Sequence, residues 1–197
     1  MTADEFFHEL QQYADKDTAV VANLRRSASY DPGQYPPVFR YVEPYVHKLG
    51  EWERCATYMA AAYWALASRR GRQEGESQTV QEPHSLPKAV QVLQALVANA
   101  NNSSARSNIE NRFQALLDAD TDELQWRLRH LINQLAAAGI AIDWPSLLQD
   151  LRKWPYADRR VQIRWARQFW SASEAKGKSV PVDGDTVTSP AKAKGPR

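Results

Sequence analysis

Cysteine is nearly absent from this chain. Cys55 stands alone among 197 residues, which rules out an intramolecular disulfide and a thiolate-rich metal site. Glycine is scarce at 8 residues, and no alternating β-branched run occurs. Extended sheet is therefore not expected. The longest apolar stretch, residues 59–67, falls far short of the roughly 20 residues that a membrane helix needs. The first residues, Met1-Thr-Ala-Asp-Glu-Phe-Phe7, are acidic and lead into no apolar signal core. These features predict a soluble, cytoplasmic protein.

Several chemistries lack their motifs. No glycine-rich phosphate loop, nucleophile elbow or paired-histidine metal motif occurs, and His8, His47, His84 and His130 are scattered. Cys55 lies on the apolar side of a helical stretch and is read as a buried structural thiol. The acids Asp118, Asp120, Asp122 and Glu123 are explained by helix capping. No active site, metal or cofactor is expected.

What is present is helix-forming composition and unevenly spread charge. Apolar residues make up 43% of the chain, enough for a core. Residues 1–17 carry net charge −4, with five acids against Lys16, whereas residues 152–167 carry +5, with six bases against Asp158. The whole chain carries only +2. Arginines number 17 against 8 lysines, a bias that suits phosphate or carboxylate recognition.

The helical pattern divides the chain. Thr2-Ala-Asp-Glu5 is a capping box ahead of Phe6, Phe7, Leu10 and Tyr13. A second helix starts near Asp17, buries Val20, Val21 and Leu24, and ends at Arg25-Arg26. Asp31-Pro-Gly33 predicts a turn, and residues 38–49 a short aromatic helix or broken turn around Pro44. Residues 51–70 form the clearest helix of this half, with Trp52, Ala56, Met59, Ala60 and Tyr63 on one broad face.

Residues 71–84 read as a polar linker, and residues 85–171 as a second helical unit. Within that unit, apolar spacing predicts helices around residues 90–97, 109–117, 124–135 and 145–154, with Gly139 as a helix stop. Residues 172–197 lack large apolar residues and are expected to be a disordered tail. The fold class is all-α: two small helical-bundle subdomains, 1–70 and 85–171, joined by a polar linker.

The last helical stretch, residues 154–170, has two faces. Val161, Trp165 and Phe169 recur at i, i+4 and i+8, with Ile163, Ala166 and Trp170 extending that apolar side. Arg160, Arg164 and Arg167 share another side, and only Asp158 lies nearby in sequence to neutralise them and Arg159. Arg25-Arg26, Arg127 with Arg129, and Arg112 beside Phe113 are further basic candidates. Arg127 and Arg129 flank an apolar stripe, so at least one of the two is a candidate structural residue. A solvated helix face is the simpler reading of any one arginine. Trp144, Trp154, Trp165 and Trp170 could stack on bases, but at helical spacing they are read as core. Phosphate-backbone binding without base readout is what these faces predict.

Four stretches together resemble a known family. They are Leu24-Arg-Arg26 closing an early helix, then the turn with Tyr35-Pro36, then Arg112-Phe-Gln-Ala-Leu-Leu117, and lastly the long run from Leu128-Arg-His-Leu-Ile132 through Ile142-Asp-Trp144, Leu147-Leu-Gln-Asp-Leu151 and Trp154 to Val161-Gln-Ile-Arg-Trp-Ala-Arg-Gln-Phe-Trp170. Over residues 20–171 the chain resembles the CasB family, the small subunit of the type I-E CRISPR surveillance complex, Cascade. The resemblance implies a non-catalytic, all-α subunit that sits with a second copy of itself beside the repeated backbone subunit and the large subunit. It implies contact with the guide RNA–target DNA hybrid and the displaced DNA strand, stabilising the R-loop in antiviral defence. It carries Arg25, Arg26, Arg112, Arg164 and Arg167 as nucleic-acid contacts. Charge and helical phase add Arg127, Arg129, Arg159 and Arg160. The competing expectations are a protein-interaction scaffold whose arginines meet acidic partners, a small hydrolase with a site assembled from distant residues, and a helix-turn-helix regulator built on residues 143–170.

Overall fold

The computed structural model describes residues 2–68, 82–99 and 103–174, with side chains as far as residue 171. Most of the expected linker and nearly all of the expected tail lie outside these residues. Nine α-helices account for most of the described chain, and the described residues contain no strand. They are α1 (Ala3–Lys16), α2 (Thr18–Ser27), α3 (Phe39–Val46), α4 (Glu51–Ser68), α5 (Leu86–Asn99), α6 (Ser103–Asp118), α7 (Thr121–Ala137), α8 (Trp144–Arg152) and α9 (Arg160–Glu174). A 3-10 turn, Pro36–Val38, precedes α3.

Local chemistry sets the boundaries. Thr2 caps α1 through a complete capping box: Glu5 N–H donates to the threonine hydroxyl, and Thr2 N–H donates to the Glu5 carboxylate. Asp17 caps α2, Asp120 caps α7 and Asp143 caps α8, each carboxylate accepting first-turn N–H groups. Within the acidic cluster of residues 118–123, the capping side chain is thus Asp120. Gly139, at φ +69°, ends α7. Its N–H donates to the Ala136 carbonyl, and Ile140 N–H donates to the Leu135 carbonyl, the paired bonds of a Schellman end. Gly33, at φ +83°, occupies the left-handed corner of the Asp31-Pro-Gly33 turn, where a Cβ would sit 3.4 Å from the Tyr58 ring.

The helix α4 departs from the amphipathic expectation. Ten consecutive residues, Ala56 to Ala65, are buried, so apolar contacts cover its whole circumference rather than one broad face. It packs against α2, α3, α7 and α8. Among the ten are the alanines Ala60, Ala61, Ala62 and Ala65, whose short side chains let helices approach on several sides. Cys55, one residue earlier, is only half-buried, although burial still pushes its thiol upward.

Long-range hydrogen bonds tie the first four helices to the later ones. The Trp52 indole N–H donates to the Leu151 carbonyl at 2.8 Å. The buried Tyr63 hydroxyl donates to the Gln125 carbonyl at 2.5 Å. Helices α5, α6 and α9 pack together beyond α7. The connector before α8 is extended: His84 exchanges backbone bonds with Ala141 and Asp143, on either side of Ile142.

At the end of the chain, Trp154 and Trp165 are fully buried and meet edge to face at 5.2 Å. Each indole N–H is satisfied, Trp154 by the Ala119 carbonyl and Trp165 by the Asp150 carboxylate. The apolar side of α9 is narrower than its sequence suggests. Val161, Trp165 and Phe169 are buried, but Ile163 is 45% exposed and Trp170 lies at the rim. Buried Gln162 takes up space on the inner side, its amide donating to the Trp154 carbonyl.

Candidate nucleic-acid interface

The nine arginines singled out by sequence fall into distinct local settings. One group gathers where the end of α2 meets α7. Arg25 is half-buried and donates to the Ala65 carbonyl of α4 at 3.2 Å. Arg26 is exposed and donates to the Tyr35 hydroxyl at 3.5 Å. Arg129 comes from 101 positions further along the chain, yet its guanidinium donates to the Ala28 carbonyl at 2.8 Å and reaches the Ser29 hydroxyl at 3.5 Å. The anticipated structural member of the Arg127–Arg129 pair is therefore Arg129. Arg127 instead pairs with Glu123 one helical turn away, at 2.7 Å on the surface of α7.

The partners of Arg26 and Arg129 in this group are neutral oxygens. A guanidinium bonded to a carbonyl or hydroxyl is oriented without having its charge cancelled by that partner. Arg25 and Arg26 also lie in the last turn of α2, where the helix dipole favours cations.

The α9 group is built differently. Arg160 pairs with Asp158 at 2.7 Å and lies over the Tyr156 ring, 5.0 Å from its centroid. This pair lowers the Asp158 carboxyl and raises the Arg160 guanidinium, chiefly through their shared hydrogen bond. Arg164 pairs with Asp150 of α8, and the same carboxylate accepts from Trp165 at 2.6 Å. Arg159 donates to the Leu117 carbonyl at 2.6 Å and lies 3.8 Å from Asp118. Its backbone is left-handed, φ +48°, which is rare for a side-chain-bearing residue. The bond to α6 holds that conformation at the start of α9.

Sequence neighbours thus understated the neutralisation of this stretch. Asp158 was the only acid near in sequence, but Asp150 and Asp118 come to Arg164 and Arg159 through space. Arg152 also turns inward, donating to the Thr57 hydroxyl at 3.1 Å, and burial lowers its guanidinium. Arg167 on α9 and Arg112 on α6 are exposed and make no ion pair among the described residues.

Two aromatic features escaped the sequence reading. Tyr30 and Tyr35 flank the Asp31-Pro-Gly33 turn and stack, with centroids 4.9 Å apart and planes 27° from parallel. Their placement on both sides of a tight turn was the available signal. Trp126 of α7 is 54% exposed, although it lies between buried Gln125 and exposed Arg127 in an amphipathic helix. It lines a cleft of about 600 Å³ with Trp52, Asp31, Glu51 and Asp122. Among the described residues, no group of three His, Cys, Asp or Glu side chains could hold a metal ion, and no helix is long and apolar enough to cross a membrane.

Comparison with known proteins supplies the family. The model of the family CRISPR-associated protein Cse2 matches residues 20–170. A CRISPR-associated protein Cse2 of Thermus thermophilus is 38% identical over 169 residues, covering 83% of this chain and 87% of the relative. The crystal structure of a Cse2-family protein from Thermus thermophilus superposes with TM-score 0.68 at 32% identity, over 87% of this chain and 99% of that one. A chain of a CRISPR RNA-guided surveillance complex gives TM-score 0.68 over 89% of this chain and 95% of its own. At 24% identity that last likeness is one of fold. The matched span holds all nine candidate arginines and excludes α1 and the last residues, much as the four resembling stretches implied. This chain belongs to the CRISPR-associated protein Cse2 family.

Proposed function

We propose that the chain is the non-catalytic small subunit of a type I-E CRISPR surveillance complex. It holds nucleic-acid backbone without reading sequence, supports guide–target pairing and retains the displaced DNA strand. In this role it works in the cytoplasm beside a repeated backbone subunit, a large subunit and a second copy of itself. Strand exchange in an R-loop is nearly balanced in energy, so a few phosphate contacts per subunit tip it.

One observation carries the reading. Arg26 and Arg129, from helices distant in sequence, converge on the short segment after α2 and are oriented there by neutral oxygens. Such an arrangement fixes cationic groups and leaves them able to meet phosphate. The test is an anisotropy titration of the full chain with a labelled single strand at increasing salt. With about three phosphates engaged, log affinity falls linearly against log salt with a slope of about −2. Failure to bind at low salt overturns the reading.

A protein-interaction scaffold is the second reading. Its support is that Arg127, Arg160 and Arg164 already take carboxylate partners within the chain, as they would take acidic side chains of a neighbour.

A further inference from the structure

The proposed backbone contacts leave the stacked tyrosines unexplained. Tyr35 is half-buried and packs against the core. It is fixed at the entrance to the 3-10 turn, where Val38 N–H donates to its carbonyl. Tyr30 lies on it, and the turn between them closes through a bond from Gln34 N–H to the Asp31 carbonyl. With one ring supported in this way, Tyr30 still leaves 47% of its surface exposed. An exposed aromatic ring costs solvation, and here the fold holds it in place instead of tucking it away.

The charges beside the stack complete the arrangement. Arg26 donates to the hydroxyl of Tyr35 itself, and Arg129 is bonded to Ala28 and Ser29, the two residues before Tyr30. A supported aromatic face next to two guanidiniums matches one unit of single-stranded nucleic acid, a flat base joined to an anionic phosphate. Duplex would not use it, because its bases are already stacked. We propose that Tyr30, backed by Tyr35 and flanked by Arg26 and Arg129, is a stacking platform for one unpaired base of a single strand. Every base has a π-face, so the platform holds the strand without selecting sequence. The proposal rests on the backbone-binding reading and adds to it a contact with the base.

The experiment compares two labelled strands of equal length and charge, one of oligo-thymidine and one fully abasic, against the full chain. The wild type binds the thymidine strand roughly fivefold or more tighter than the abasic strand. Tyr30→Leu abolishes that difference by weakening the thymidine strand alone, and Arg26→Gln weakens both strands by the same factor. Equal, salt-dependent affinity of the wild type for both strands overturns the platform and leaves backbone binding standing. A base preference that survives Tyr30→Leu overturns the assignment to this ring. If neither strand binds at low salt, both readings fall. Should Tyr30→Leu fail to fold, Tyr30→Trp carries the test: it tightens the thymidine strand only, and an unchanged affinity contradicts the platform.

Discussion

The arginines at the α2–α7 junction and those along α9 have similar sequence surroundings and opposite electrostatic ones. At the junction, Arg26 and Arg129 donate to a hydroxyl and a carbonyl. Along α9, Arg160 and Arg164 donate to carboxylates. The first arrangement positions charge and the second neutralises it. The density of arginine in a stretch therefore says little about the field it presents. What matters is whether the oxygen opposite each guanidinium is neutral or charged, and that depends on residues far away in the chain.

The two α9 pairs also differ from each other. Asp158 and Arg160 are both mostly exposed, and such pairs contribute little to stability. Asp150 has only 16% side-chain exposure and serves both Arg164 and the buried indole of Trp165. It fastens α8 to α9, and Arg164 is its outer partner. The Arg160–Arg164–Arg167 face thus combines one cation neutralised at the surface, one structural cation and one exposed cation without an ion pair among the described residues.

The largest effect expected from this contrast is on stability. Asp150→Ala strands the Trp165 indole N–H in the core and frees Arg164, and urea unfolding should show a loss of about 2–3 kcal/mol. Arg164→Met, which leaves the indole bond intact, should cost much less. At the junction, Arg129→Met removes a charge-assisted bond that ties α7 to the end of α2, and the loss expected in the same assay is about 1.5 kcal/mol. A smaller loss for Asp150→Ala than for Arg164→Met would contradict the reading that Asp150, through the Trp165 indole, fastens α8 to α9.

A smaller effect sharpens the comparison through pH. The bond from Arg160 holds the Asp158 carboxyl below its ordinary 3.8. A folded-state value below the unfolded one stabilises the fold at pH above the unfolded value, and that contribution disappears as pH falls through the folded value. Because both groups are exposed, the contribution is slight and the titration itself is the readout. Carboxyl NMR should give Asp158 a midpoint below the ordinary range, and Arg160→Gln should move it upward. An unmoved midpoint would mean that the pair does not persist in solution.

The helical skeleton was legible in the sequence wherever its cause is local. The Thr2 capping box, the Asp17, Asp120 and Asp143 caps and the Gly139 stop each act within a few residues, so their pattern is written in order along the chain. The burial of α4 on every side was not, because alanine fits an exposed helix and a crowded one equally well. Ile163 was grouped with the apolar side but is exposed, because at about 100° per residue it lies roughly 200° from both Val161 and Trp165. The candidate site divides in the same way. Helical phase speaks only to residues on one helix, whereas the meeting of Arg129 with Ala28 and of Arg164 with Asp150 depends on tertiary packing. The Tyr30–Tyr35 stack falls between these cases, a local contact whose signature is a turn rather than a helical period.

The most direct test of the account compares two single variants by their salt dependence. Arg26→Gln and Arg160→Gln are titrated against the same single strand, with log affinity plotted against log salt. Loss of Arg26, whose partner is neutral, should flatten the slope by about 0.7, the value of one phosphate contact on single-stranded nucleic acid. Loss of Arg160, already neutralised by Asp158, should flatten it by roughly half as much or less. A larger change for Arg160→Gln, or an unchanged slope for Arg26→Gln, would contradict the claim that the α2–α7 junction is the principal cationic contact.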